Sequence, residues 1–350
     1  MPGSYRIAVL PGDGIGPEVI AEAVRVLRAV ESRLSGLRFE LEEFSVGAGE
    51  YLRSGDPMPP ATFERCTQFD AILLGAMGLP GVRWPNGTEM APQLDLRERL
   101  ELYAGVRPIR LYHSAHTPLK KYSAGEIDLV IFRESTEGMF WSRLGKYPPD
   151  ATEVCDTMRI SRKASERLFR AAFREAGRRR GLVTLVDKSN VLPSMSFFRR
   201  IFDEVAGEFP QIRTERIYVD AASLYLVQRP QTFDVMVTEN IFGDILSDLA
   251  AGLIGGMGMA PSADIGDRFA VFQPSHGSAP DIAGKGIANP IAAILSAALM
   301  LEWLELADAA KMIRDAVEAV CERGSLTRDL GGSLTTEQCG EATSAVICGN

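Results

Sequence analysis

Short apolar runs that feed amphipathic helices recur along this chain, and they restrict it to layered α/β architectures. Arg6–Leu10, Asp70–Leu74, Asp128–Phe132 and Leu182–Val186 each read as a buried strand. The first continues through Pro11–Glu18 into a helix with Ile20, Val24 and Leu27 on one face, and Pro17 suits its first turn. Helical patterns also cover 162–177 and 190–207, and Asn289-Pro290 caps an Ala- and Leu-rich helix running to about Leu304. This alternation argues for a doubly wound α/β fold. At 350 residues the chain fits two domains, and no internal repeat interrupts it.

One strand–helix junction carries chemistry. The strand-like Phe233–Thr238 leads into Glu239-Asn240-Ile241-Phe242-Gly243-Asp244-Ile245-Leu246-Ser247-Asp248. Asp244 and Asp248 stand four residues apart, so a helix points both carboxylates the same way. Small residues (Ser247, Ala251, Gly252) surround them, while Ile245, Leu246, Leu249 and Leu253 are expected to pack into a core. Stacked carboxylates facing open space suit a hard divalent cation, Mg²⁺ or Mn²⁺. A solvated helix face has the same pattern.

Arginines supply a second theme. Arg97, Arg107 and Arg133 sit in Leu96-Arg97, Val106-Arg107-Pro108 and Val130-Ile-Phe-Arg133-Glu134. Guanidinium forks hold carboxylates at two points, so three of them beside Asp244 and Asp248 would suit a metal-bound di- or tricarboxylate. Each alone also fits an ordinary salt bridge. Lys188 and Asp220 end strand-like segments and are candidates for proton transfer, or for solvated strand ends. Arg178-Arg179-Arg180 ends a helix, where a solvated cationic face is expected.

Gly12, Gly14 and Gly16 do not make a dinucleotide fingerprint, because Pro17 stands where the third glycine is needed. The second glycine-rich segment, His276–Pro290, can bring backbone close to a ligand. A formal charge of −8 without a basic stripe argues against nucleic acid. No apolar run is long enough to span a bilayer, and no secretory signal pattern opens the chain. The five scattered cysteines favour a reducing, cytoplasmic setting.

In this order, Pro11–Glu18, Leu96-Arg97, Arg107-Pro108, Arg133-Glu134, Asp187-Lys188-Ser189-Asn190, Tyr218-Val219-Asp220, Asn240–Asp248 and His276–Pro290 resemble the metal-dependent β-decarboxylating dehydrogenases. That family acts on 3-isopropylmalate, isocitrate, homoisocitrate, tartrate or D-malate. The pattern is most similar to the isopropylmalate members, notably across 233–250 and 276–300. The resemblance implies an α/β fold of two domains sharing a central mixed sheet, not a standard Rossmann fold. Residues 1–101 and 256–350 would form a nucleotide-binding domain. Residues 102–255 would form the middle domain, with an arm at about 141–160.

The resemblance further implies a homodimer with shared sites, a small 2-hydroxy dicarboxylate as substrate, NAD, and Mg²⁺ or Mn²⁺. Asp220, Asp244 and Asp248 would hold the cation, and Arg97, Arg107 and Arg133 the carboxylates. Gln93 and Leu94 would meet the C3 substituent. Lys188 with Asp220, both borrowed from the other subunit, would take the hydroxyl proton. Hydride would leave C2, and CO₂ would follow. His276, Gly277, Ser278, Ala279, Pro280, Asp281 and Asn289 would form the cofactor site. Asp281 stands where NAD-using members bond the adenosine ribose, and a carboxylate there repels a 2′-phosphate.

Three departures qualify these expectations. Phe140 occupies the position of a catalytic tyrosine, so an acid is missing and a non-catalytic regulatory relative is the competing reading. Gln273 replaces a usual glutamate. Gln93 gives the pocket wall an amide, which an isopropyl group would leave unpartnered.

Overall fold

A computed structural model describes residues 3–148 and 150–349. Met1, Pro2, Pro149 and Asn350, which fall in the expected terminal domain and arm, lie outside the described residues. The strands are β1 (Ser4–Gly12), β2 (Arg38–Glu43), β3 (Ala71–Ala76), β4 (Ala104–Arg110), β5 (Asp128–Glu134), β6 (Leu182–Asp187), β7 (Arg213–Tyr218), β8 (Val235–Thr238), β9 (Pro261–Ile265) and β10 (Ala270–Pro274). The helices are α1 (Gly16–Arg33), α2 (Ala48–Ser54), α3 (Pro60–Cys66), α4 (Pro92–Arg99), α5 (Arg162–Arg178), α6 (Pro193–Ala206), α7 (Val219–Gln228), α8 (Asn240–Gly252), α9 (Ile291–Trp303), α10 (Ala307–Arg323) and α11 (Thr336–Cys348).

All ten strands join one sheet in the order β2-β1-β3-β10-β9-β4-β5-β8-β6-β7. The flanks are parallel, but β10-β9-β4-β5 run antiparallel through the centre. The fold is therefore α/β with a mixed sheet, rather than the wholly parallel one that alternation alone suggests. Parallel neighbours need a crossover, usually a helix. Neither the β4–β5 nor the β9–β10 connection contains an α-helix, so both return antiparallel.

Packing follows the apolar pattern. α9 is buried almost all round between α1, α10 and the sheet, as expected of a helix without a polar face. Across the other half of the sheet, Phe169 and Phe173 of α5 meet Phe198 and Phe202 of α6, with the Phe169 and Phe198 centroids 4.6 Å apart. Burying each such ring contributes about 2–3 kcal/mol.

Asn289-Pro290 caps α9 as expected: the helix begins at Ile291 after Pro290, and Asn289 Oδ1 accepts the Ile291 amide at 3.0 Å. Two local expectations are corrected. The end of α5 is not a uniformly solvated cationic face. Arg179 reaches Asp128 at 2.6 Å and the fully buried Asp234 at 2.9 Å, because that carboxylate needs a counter-charge. On α8, Leu246 and Leu253 are buried, but Ile245 is 60% exposed. A 100° step per residue turns it away from the core.

Candidate active site

The antiparallel centre of the sheet creates the site. Arg133 on β5 lies opposite Gly105 on β4, which in turn lies opposite Asp264 on β9. Arg107 is two residues beyond Gly105, so all these positions share one face. The alternate residues Val106, Phe132, Ala263 and Phe272 line a second cleft on the opposite face. At the end of β8 the chain turns into α8, where the Glu239 carboxylate caps the helix by accepting the Ile241 and Phe242 amides at 3.1 and 2.7 Å. That cap aims Asn240, Asp244 and Asp248 back at Arg133.

A cavity of about 510 Å³ results. Arg97, Arg107, Arg133, Asp244 and Asp248 share its lining with Gln93, Leu94, Phe140, Gln273 and His276. The three guanidiniums are nearly inaccessible, Arg133 being only 2% exposed. Arg133 donates Nε and Nη2 to Asn240 Oδ1 at 2.9 and 2.7 Å, and Nη1 to Asp244. Arg107 donates to Ser275 Oγ at 2.7 Å. Arg97 Nε lies 3.0 Å from Asp264 Oδ2. Burial, with neighbouring Arg97, lowers the Arg133 pKa to about 9. Crowded, desolvated cations of this kind would suit a multiply charged anion.

Burial raises the Asp248 carboxyl pKa, and neighbouring Asp244 raises it further. Two oxygen donors that repel one another suit a hard cation. Asp220, the third expected ligand, lies elsewhere. It is bonded to Lys188 Nζ at 2.5 Å, and that hydrogen bond lowers its pKa. Neither Lys188 nor Asp220 lines the cavity. Among the described residues no set of three His, Cys, Asp or Glu side chains is gathered for a metal.

The glycine turn after β1 packs against the expected cofactor loop. The Ile15 amide donates to Ser278 O at 2.9 Å, and a Cβ on Gly14 would lie 2.0 Å from that oxygen. Glu18 accepts the Gly284 and Gly286 amides at 2.5 and 3.2 Å, while Asp13 accepts those of Ala48, Gly49 and Gly78. These acids occupy amides that could otherwise meet an anion, and they brace the loop. Ala279 adopts a positive φ of 38° within that loop. His276 Nδ1 donates to Gly277 O at 2.9 Å, which leaves Nε2 as an acceptor, buried without a partner among the described residues. Gly277, Pro280 and Asp281 are exposed and Ser278 is buried. Asn289 is tied to Asp329 at 3.0 Å and to the start of α9.

The pocket wall has further features. Gln93 Oε1 is buried and has no partner among the described residues. Arg83 pairs with Glu89 at 2.9 Å, and Trp84 meets Tyr51 edge-on at 5.5 Å, which braces the 79–89 loop over the cavity. The Phe140 ring lies 5.2 Å from the Arg133 guanidinium carbon, inside the cavity lining. Sequence reasoning overlooked Arg143, which reaches Asp95 and Glu98 of α4 at 2.8 and 2.9 Å. It also overlooked Asp264, although an acid within the short strand Pro261–Ile265 is itself a signal of a buried ion pair.

A sequence model of isocitrate/isopropylmalate dehydrogenases matches residues 6–346. The chain belongs to this family. Its relatives include a 3-isopropylmalate dehydrogenase of Moorella thermoacetica, 47% identical over 93% of both chains. An isocitrate/homoisocitrate dehydrogenase of Thermus thermophilus is 48% identical over 97% of both. The crystal structure of isocitrate dehydrogenase from Methylococcus capsulatus superposes with a TM-score of 0.89 at 39% identity, covering 98% of this chain and 99% of that one. The family is one of oxidative, β-decarboxylating dehydrogenases. Members named for different substrates are about equally similar to this chain.

Proposed function

We propose that the protein is an NAD-dependent oxidative decarboxylase of a malate-type 2-hydroxy dicarboxylate, working as a homodimer with shared sites. The convergence of Arg97, Arg107 and Arg133 with Asp244 and Asp248 on one cavity carries this reading. The residues present fit a divalent cation, held by Asp244, Asp248 and Asp220 of the partner subunit; bound there, it would supply Lewis acidity to the C2 hydroxyl and later to the C2 carbonyl. NAD, with its adenosine end against His276 and the 277–281 loop, would supply the hydride acceptor.

The chain's own residues do the rest. The arginines fix the carboxylates so that the C2–H faces the cofactor. Lys188 of the partner subunit, held by the partner's Asp220, takes the hydroxyl proton. Exposed apolar side chains support the dimer: Leu224 and Val227 of α7 and Ile245 of α8 are 52%, 45% and 60% exposed. They lie on the helices that carry Asp220 and Asp244. We also assign residues 1–101 and 256–350 to one domain, 102–255 to the other, and 141–160 to an arm across the dimer. Trp141, Leu144, Tyr147 and Val154, exposed along that segment, support the arm.

The unpartnered Gln93 oxygen favours a C3 substituent that donates a hydrogen bond, as in tartrate, over an isopropyl group. Phe140 cannot donate a proton, so water protonates C3 after CO₂ leaves. A regulatory role is the competing reading; the complete set of arginines and acids argues against it. Purified protein with NAD, Mn²⁺ and a panel of 2-hydroxy dicarboxylates tests the proposal. NADH with any of them, together with CO₂, is expected; no NADH from the whole panel would sink the enzyme reading.

A further inference from the structure

Asp264 and Gln273 have no role in the reaction described above. Asp264 is 1% exposed in the middle of β9, a depth at which a charge is costly unless paired. Its Oδ2 lies 3.0 Å from Arg97 Nε and accepts from Gln273 Nε2 at 2.8 Å. Its Oδ1 accepts from Ser135 Oγ at 3.3 Å. Gly105 leaves the space for that contact, because a Cβ there would stand 2.7 Å from Ser135 Oγ. Burial pushes the Asp264 carboxyl pKa up, but Arg97, Arg107 and Arg133 outweigh it and hold the group below its ordinary value. Arg97 and Gln273 line the cavity, whereas Asp264 stands behind them. The contact of Arg97 Nε with Asp264 is an ion pair rather than a hydrogen bond, and neither Nε nor the terminal nitrogens of Arg97 make a hydrogen bond among the described residues.

We propose that Asp264 is the positioning residue of the carboxylate grip: its ion pair with Nε holds Arg97 from behind, leaves the terminal nitrogens for substrate, and through Gln273 ties that pair to the β10 wall. This rests on the reading that the arginines bind a dicarboxylate. A long, unanchored arginine would have to lose its rotamer freedom on binding, and the anchor removes that cost beforehand. The grip is the same in ground and transition states, so its loss appears in KM rather than kcat. Removing the carboxylate also makes the cavity more positive, which by itself would tighten an anion. The two effects have opposite signs and can be told apart.

A charge swap tests the assignment. Asp264→Asn removes the anchor, whereas Asp264→Asn with Gln273→Glu returns a carboxylate to the same pair of side chains. D-malate is the probe, since it has no C3 substituent. Its KM and kcat are read from NADH formation, and its Kd in the presence of Mn²⁺ from calorimetry on the full-length protein. Asp264→Asn is expected to raise KM and Kd about 30-fold with kcat within about 3-fold. The double variant should return to within about 3-fold of wild type. Gln273→Ala, which strands no charge, should raise Kd about 3-fold and serves if Asp264→Asn fails to fold. Tighter D-malate binding by Asp264→Asn, or a double variant no better than the single one, overturns the inference while the enzyme reading stands. A wild-type protein that neither binds nor oxidises any 2-hydroxy dicarboxylate overturns both.

Discussion

Gly243 is the fourth residue of α8, at the end of its first turn, where glycine costs up to about 1 kcal/mol relative to alanine. Its presence is explained by Arg133. A Cβ at 243 would lie 2.7 Å from both Cβ and Cγ of Arg133 and 3.2 Å from its Cα. These atoms are the rigid root of the side chain, so they cannot swing aside. Relief to an ordinary contact of 3.4 Å requires α8 and β5 to separate by roughly 0.7 Å. Gly243→Ala therefore brings two opposed stability terms, up to about 1 kcal/mol gained in helix propensity and about 1–3 kcal/mol lost to overpacking. The net change in stability is a loss of at most about 3 kcal/mol. The site has no such compensation. Asp244 follows directly, and Arg133 holds both Asn240 and Asp244. A shift approaching 1 Å in such a constellation costs on the order of 100-fold in kcat/KM. Urea melts and NADH kinetics on the same preparation measure both quantities. A variant with wild-type kcat/KM would refute the reasoning, and so would one whose activity falls only in proportion to its unfolded fraction.

Other predictions address the dimer, the missing acid and pH. Lys188→Met and Asp244→Asn should each be nearly inactive. Mixed after dissociation, they should regain about a quarter of wild-type activity, since half the dimers then hold one intact site; no recovery despite confirmed heterodimers would show that Lys188 acts within its own chain. Phe140→Tyr should raise kcat by about 10-fold or more if protonation of the enolate limits turnover, and an unchanged kcat would show that water suffices. Burial raises the Glu134 pKa from 4.5 to about 7. The native state then holds a proton that the unfolded chain has released between those values. Glu134 thus lowers stability as pH rises through that window, by about 3 kcal/mol in all, with no further change above it. The difference in unfolding free energy between wild type and Glu134→Gln should shrink by that amount from pH 4.5 to 7; a constant difference would contradict it.

Strands were legible in the sequence where an unbroken stretch of residues does nothing but pack, as in β5 up to Phe132, just before Arg133. β1, β3, β5 and β6 are buried on both faces, so they read as unbroken apolar runs. β2, β4, β9 and β10 were not read, for physical reasons. β2 is an edge strand, Arg-Phe-Glu-Leu-Glu-Glu, whose acids face water. β4 contains Gly105, Arg107 and Pro108. Its pairing with β9 ends at Val106, so the proline needs no donor on that side. β9 carries Ser262 and Asp264, and β10 carries Gln273. Apart from β2, the strands hidden from an apolar-run reading are those whose front face builds the cavity.

The same face explains why the site was legible only in part. Each arginine alone is compatible with a salt bridge, and the structure gives two of them carboxylate partners, Asp264 for Arg97 and Asp244 for Arg133. Sequence spacing within α8 was enough to align Asp244 with Asp248, because i,i+4 is a local relation. The relation of Arg107 and Arg133 to Asp264 is not local. It depends on a strand register across β9, β4 and β5, and a slip of one residue in that register would turn the whole set to the opposite cleft. On the other face the same register pairs Val106 with Phe132 and with Ala263, so a slip would also break up an apolar set, and residues that do no chemistry favour the alignment of the charged ones.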